Sequence, residues 1–113
     1  WILLNAPGLP ADLAPFQGFK LACVDAAHIA LEHGLGAKNQ PITNTAMMGA
    51  FARLFSNPPL ESVVEAIESE MPIKISENVA AARAAYEAVV LHGQVNGSEL
   101  LPSAGPIFRK AVS

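Results

Sequence analysis

The sequence predicts an α/β fold with a parallel sheet flanked by helices, and three observations predict it. Trp1 to Asn5 and Lys20 to Val24 are short apolar runs of strand length. The second run passes through Asp25 directly into a helical pattern, the strand-to-helix unit of a parallel sheet. Most of the chain from there to His92 carries its apolar residues at helical rather than alternating spacing.

The elements follow in order. Trp1 to Asn5 reads as an inner strand covered on both faces and ended by Pro7-Gly8. Leu9 to Gly18, with Pro10 and Pro15, reads as a loop, and Lys20 to Val24 as the second strand. Asp25 is placed to cap a helix over Ala26 to His33 that Gly34 terminates. After a loop from Leu35 to Pro41, Ile42 to Phe55 forms a helix with Met47, Ala50, Phe51, Leu54 and Phe55 at helical spacing. Asn57 caps the next helix with Pro58 at its first position, and Pro72 ends it. Its apolar stripe is Leu60, Val63, Val64, Ile67 and Met71, with Glu61, Glu65 and Glu68 facing water. Ser76 opens the last helix, lined by Val79, Ala82, Tyr86, Val89 and Val90. Beyond Leu91 the residues Gly93, Gly97, Pro102, Gly105 and Pro106 predict an extended tail over 92–113. Two strands make no stable sheet alone, so further strands are expected from outside this piece. The start at Trp1 rather than Met also reads as a fragment of a longer chain.

Composition narrows the function. The 113 residues suit one domain. Charged residues make up only 15%, against about 25% in ordinary soluble domains, so part of the surface is expected to be covered by other protein. The net charge of −3, without a basic run, argues against a nucleic-acid groove. No apolar run is long enough to span a bilayer, so no membrane partner is expected. Cys23 is the single cysteine, which rules out an internal disulfide or an iron–sulfur ligand set and suits a reducing, cytoplasmic setting. His28 and Glu32 share a helix face without a third ligand in reach, so a solvated face is the reading there.

Four segments resemble one family in order. Asn44-Thr45-Ala46-Met47-Met48-Gly49-Ala50-Phe51-Ala52 resembles the signature helix of the gamma subunit of pyruvate:ferredoxin oxidoreductase. Upstream, Asp25-Ala26-Ala27-His28-Ile29-Ala30-Leu31-Glu32-His33-Gly34 is similar to that family's strand end, helix and glycine. Downstream, Leu60-Glu61-Ser62-Val63-Val64-Glu65-Ala66-Ile67 resembles its acidic helix. Glu77-Asn78-Val79-Ala80-Ala81-Ala82-Arg83-Ala84-Ala85-Tyr86-Glu87 resembles its closing helix. The likeness covers Trp1 to about Val90. The family's glycine-rich turn after its first strand has no counterpart, and the tail after Leu91 is longer and richer in Pro and Gly than the family pattern.

The resemblance implies a Rossmann-like fold of which 1–91 is the C-terminal part, followed by the 92–113 tail. It implies a gamma component of a 2-oxoacid oxidoreductase that converts pyruvate to acetyl-CoA, since Pro41-Ile42-x-Asn44-Thr45-Ala46-Met47 looks more like the pyruvate branch. The alternatives are a gamma component for 2-oxoglutarate, branched-chain, aryl or indole 2-oxoacids, or a stand-alone α/β interaction module. Implied partners are alpha, beta and delta-type subunits and ferredoxin. The complex implies thiamine diphosphate, Mg2+, [4Fe–4S] clusters and coenzyme A, none assigned to this chain, which is expected to be non-catalytic alone. The candidate cofactor or subunit contacts are Asn44, Thr45, Met48 and Gly49. Asn44 or Thr45 stands where a helix begins, as a cap or facing a cofactor or a coenzyme A phosphate. Met47 and Met48 point to different sides, one to the core and one to an intersubunit groove. Gly49, costing about 1 kcal/mol inside a helix, is explained by close approach of another backbone.

Overall fold

The computed structural model describes residues 1–101. The chain runs β1 (Ile2–Asn5), a single 3-10 turn (Ala14–Phe16), β2 (Lys20–Val24), α1 (Ala26–Glu32), β3 (Gly36–Ala37) and β4 (Gln40–Pro41). It continues through α2 (Asn44–Phe55), α3 (Leu60–Glu70), α4 (Ile75–Ala88), β5 (Val90–Asn96) and β6 (Glu99–Leu101).

The main sheet has the order β1-β2-β5-β6. β1 and β2 are parallel, with Ile2 opposite Leu21 and Asn5 opposite Val24. β5 lies antiparallel to β2, and β6 antiparallel to β5. The fold is therefore α/β, with a mixed parallel and antiparallel sheet accompanied by four helices. Two expectations change. Among the described residues β1 pairs on its β2 side alone, and its Ile2, Leu3 and Leu4 are half-buried rather than covered on both faces. The expected tail is in its first part a hairpin, and the boundary at 91/92 falls inside β5. Gly97 and Ser98 join Asn96 to Glu99, with Gly97 at φ +65 where a glycine-first two-residue turn needs it. The remainder of the expected tail, 102–113, lies outside the described residues.

The helix ends obey local chemistry. Asp25 Oδ1 accepts the His28 N–H at 3.1 Å, and Asn5 Oδ1, from the end of β1, accepts the Ala26 N–H at 3.0 Å. Two side chains thus satisfy the start of α1. Gly34 follows that helix at φ +70. α3 begins at Leu60, not at Pro58, because a residue before a proline is pushed out of the helical region and Pro58 precedes Pro59. α4 begins at Ile75 after Lys74 in left-handed backbone, one residue ahead of the expected Ser76 opening. The expected 35–41 loop holds the short β3–β4 ribbon.

The core sits where α1, α2 and α4 meet β2. Ala22, Val24, Ile29, Leu35, Leu54, Ala81 and Val89 belong to one buried cluster, with Leu3, Met47 and Leu91 packed against it. A second cluster joins Val63 and Ile67 of α3 to Ala52 and Ala82. Burying a Val, Leu or Ile side chain contributes about 1.5–3 kcal/mol, so these contacts set the relative placement of the helices.

Candidate functional site

The sequence singled out the start of α2, and the structure divides its four candidate residues between a buried and an exposed side of the helix. Thr45 and Gly49 face inward. Thr45 is buried, and its hydroxyl donates to Asn78 Oδ1 of α4 at 2.8 Å. Asn78, 4% exposed, donates from Nδ2 to the Lys74 carbonyl at 2.8 Å, so one amide ties α2 to the first turn of α4. Gly49 is one turn further along. A methyl group there would overlap the Ala82 carbonyl and lie 2.8 Å from Ala82 Cα. The neighbouring backbone expected at Gly49 is therefore α4 of the same chain. Ala46, Ala50, Ala81 and Ala85, all fully buried, complete a contact in which small side chains let two helices approach closely.

Asn44 and Met48 face outward. The residue at the cap position is Thr43, whose side chain makes no cap bond, while Asn44 is the first helical residue. Asn44 Oδ1 accepts the Thr45 N–H at 2.9 Å, which serves one of the orphan donors of this helix end. Met48 is 45% exposed, while Met47 packs against the core, so the two methionines divide as their adjacency requires.

Two further residues of the helical apolar pattern join this outer face. Phe51 and Phe55 are 38% and 42% exposed, with ring centroids 4.6 Å apart, while Ala50 and Leu54 take the buried positions. Asn44, Met48, Phe51 and Phe55 follow the spacing i, i+4, i+7, i+11, which is one stripe on a helix. The signal was present in the sequence, because an amphipathic helix has no reason to place Phe residues opposite its alanine face. α2 is consequently apolar on both sides.

A concavity of about 310 Å³ opens at the carboxyl ends of β1 and β2. Its lining includes Cys23, Asp25, His28, Glu32 and His92. The pairing of Leu21 with Gly93 and of Ala22 with Leu91 leaves His92 as the extra residue of a β-bulge. Burial pushes the His92 imidazole below its ordinary value and the Cys23 thiol above its own. His28 Nε2 lies 3.3 Å from Glu32 Oε1, and both side chains are mostly in solvent. Among the described residues no three His, Cys, Asp or Glu side chains converge as metal ligands.

Residues 1–88 match the sequence pattern of the pyruvate ferredoxin/flavodoxin oxidoreductase family. The chain belongs to that family. It is 42% identical over 91 residues to pyruvate synthase subunit PorC of Methanothermobacter thermautotrophicus, covering 78% of this chain and 45% of that one. It is 49% identical over 69 residues to the pyruvate/ketoisovalerate oxidoreductases common subunit gamma of Pyrococcus furiosus, covering 60% of this chain and 35% of that one. The crystal structure of the pyruvate oxidoreductase subunit PORC from Thermotoga maritima superposes with a TM-score of 0.65 at 32% identity, over 79% of this chain and 50% of that one. This member of the pyruvate ferredoxin/flavodoxin oxidoreductase family thus spans about half the length of the relatives it matches. Its matched region takes in α1 through α4, including both faces of α2.

Proposed function

We propose that this chain is part of the gamma component of a cytoplasmic 2-oxoacid:ferredoxin oxidoreductase, in which it holds subunits together and performs no chemistry alone. The observation that carries this reading is the outer face of α2. Exposed apolar residues grouped on one helix face mark an interaction surface, and Met48, Phe51 and Phe55 are exposed in this chain. The low charged share of the sequence points the same way. Among the four candidates, Asn44 and Met48 are the subunit contacts, and Thr45 and Gly49 are the internal fastening that holds them in place.

Pyruvate is the proposed substrate of the complex, because the Methanothermobacter and Thermotoga relatives carry it in their names. The Pyrococcus relative's name pairs pyruvate with ketoisovalerate, so a branched-chain 2-oxoacid is the second reading. The cofactors of such a complex fit other components better than this one. A [4Fe–4S] cluster takes four thiolates, and the sequence has one cysteine. For coenzyme A, the start of α2 has already spent one of its free N–H groups on Asn44. That favours subunit contact over phosphate binding at this end.

The test is isolation of the tagged chain from cells that make the whole system. The proposal expects thiamine-bearing and cluster-bearing subunits to come with it in fixed ratio, together with pyruvate-dependent reduction of ferredoxin. A chain that runs alone, colourless and without such subunits, would leave the stand-alone interaction module as the better reading.

A further inference from the structure

We propose that Asn96 is a site of spontaneous deamidation by water, and that the Gln17 side chain holds the site closed by gripping Gly97. The inference rests on the β5–β6 turn and is independent of the complex to which the chain contributes.

Of the asparagines in the sequence, Asn96 alone is followed by a glycine. Deamidation begins when the backbone nitrogen of the following residue attacks the side-chain carbonyl carbon. Here the Gly97 nitrogen forms a bond to Cγ of Asn96, the Cγ–Nδ2 bond breaks, and ammonia leaves with the Gly97 proton. The cyclic imide then takes up water and opens to aspartate or isoaspartate, with no change in oxidation state. A side chain on the following residue hinders the attack. Gly97 has none, and a Cβ placed there would meet nothing within 4 Å, so its nitrogen is approachable. Asn96 and Gly97 are both exposed.

Two features oppose the reaction. Asn96 is the last residue of β5, paired with Glu99, and ring closure requires its backbone to leave the extended conformation. Gly97, meanwhile, is held at both of its backbone polar groups. Its N–H donates to Gln17 Oε1 at 2.9 Å, and Gln17 Nε2 donates to its carbonyl at 2.8 Å. The attacking nitrogen thus has its proton committed and its direction fixed. This grip prolongs a backbone ladder in which the Val95 N–H donates to the Phe19 carbonyl and the Gly18 N–H to the Val95 carbonyl. The Gln17 amide stands where the next peptide of that ladder would stand. Once formed, the product weakens its own restraint. A carboxylate at position 96 lies directly opposite Glu99, and like charges across a strand pair are destabilising. Isoaspartate also lengthens the backbone and breaks the register of the hairpin.

The test incubates the full 113-residue chain in mildly alkaline buffer, folded and in urea, as wild type, Gln17→Ala and Gln17→Glu. Peptide mass mapping follows amide-to-acid conversion at every asparagine. The expected result is slow conversion at Asn96 in the folded wild type and fast conversion in urea. Loss of the two Gln17 bonds should raise the folded rate in Gln17→Ala about tenfold. Gln17→Glu, which keeps an acceptor for the Gly97 N–H, should show a smaller rise. Asn39, also exposed but followed by Gln40, should stay slow throughout. The Val95 amide should remain protected from hydrogen exchange in Gln17→Ala. A rate at Asn96 that is equal in the folded wild type and in urea overturns the proposal, as does a Gln17→Ala rate matching the wild type. Faster conversion accompanied by loss of Val95 protection would mean that the whole hairpin has opened, and rejects the role given to Gln17.

Discussion

Thr45 of α2 and Asn78 of α4 share a buried hydrogen bond of 2.8 Å, and Asn78 passes the connection on to the Lys74 carbonyl. The bond joins α2 to α4 one turn from the close Gly49–Ala82 contact. The exposed stripe of Asn44, Met48, Phe51 and Phe55 is thereby held in a set position on the molecule.

Replacing Thr45 with Val keeps the shape and removes the hydroxyl, leaving the Asn78 Oδ1 without its donor. An unpaired buried acceptor costs about 1–3 kcal/mol, and urea unfolding of Thr45→Val should show a loss in that range. The double variant Thr45→Val with Asn78→Leu should be less destabilised than the sum of the single changes, because it leaves no orphaned amide.

Gly49→Ala sets two effects against each other. Helix propensity alone favours Ala by about 1 kcal/mol. The added methyl meets the Ala82 backbone, which has no flexible end to move aside, and overpacking of this kind costs about 1–3 kcal/mol. The net expectation is a lower melting temperature, with α2 and α4 pushed apart. A rise in melting temperature would mean the two helices are less closely opposed than described.

His92 predicts a dependence on pH. Its folded value lies below the ordinary 6.5 because burial disfavours the charged ring. Between the two values the unfolded chain binds more protons, so stability falls as pH drops through 6.5 and stops falling on this account once pH is below the folded value. His92→Gln should flatten this part of a stability–pH curve measured by denaturant titration from pH 7.5 to 5. An unchanged slope would place the imidazole in solvent.

Much of this was legible in the sequence, and the misreadings have specific causes. Proline, glycine and the capping carboxylate of Asp25 are local signals, and they located α1 through α4 to within a few residues. β5 was hidden because Gly93, at φ +111, and the bulged His92 interrupt any alternating pattern, although Gly97-Ser98 is a hairpin signal. At the candidate site the sequence named the right helix but could not tell its faces apart. Gly49 meets Ala82 through tertiary contact, and Thr45 finds Asn78 across 33 positions, so neither partner is encoded locally. Phe51 and Phe55 share the helical spacing of Ala50 and Leu54, and spacing alone did not say that the core takes only the latter pair.

The most direct test of the subunit-contact account changes the outer face of α2 and nothing beneath it. Phe51→Glu with Phe55→Glu should leave the melting temperature of the isolated chain within a few degrees of the wild type, since both positions are partly in solvent. In cells that make the whole oxidoreductase, the same variant should fail to join the complex, and pyruvate-dependent dye reduction should fall with it. A double variant that assembles and turns over like the wild type would contradict the account.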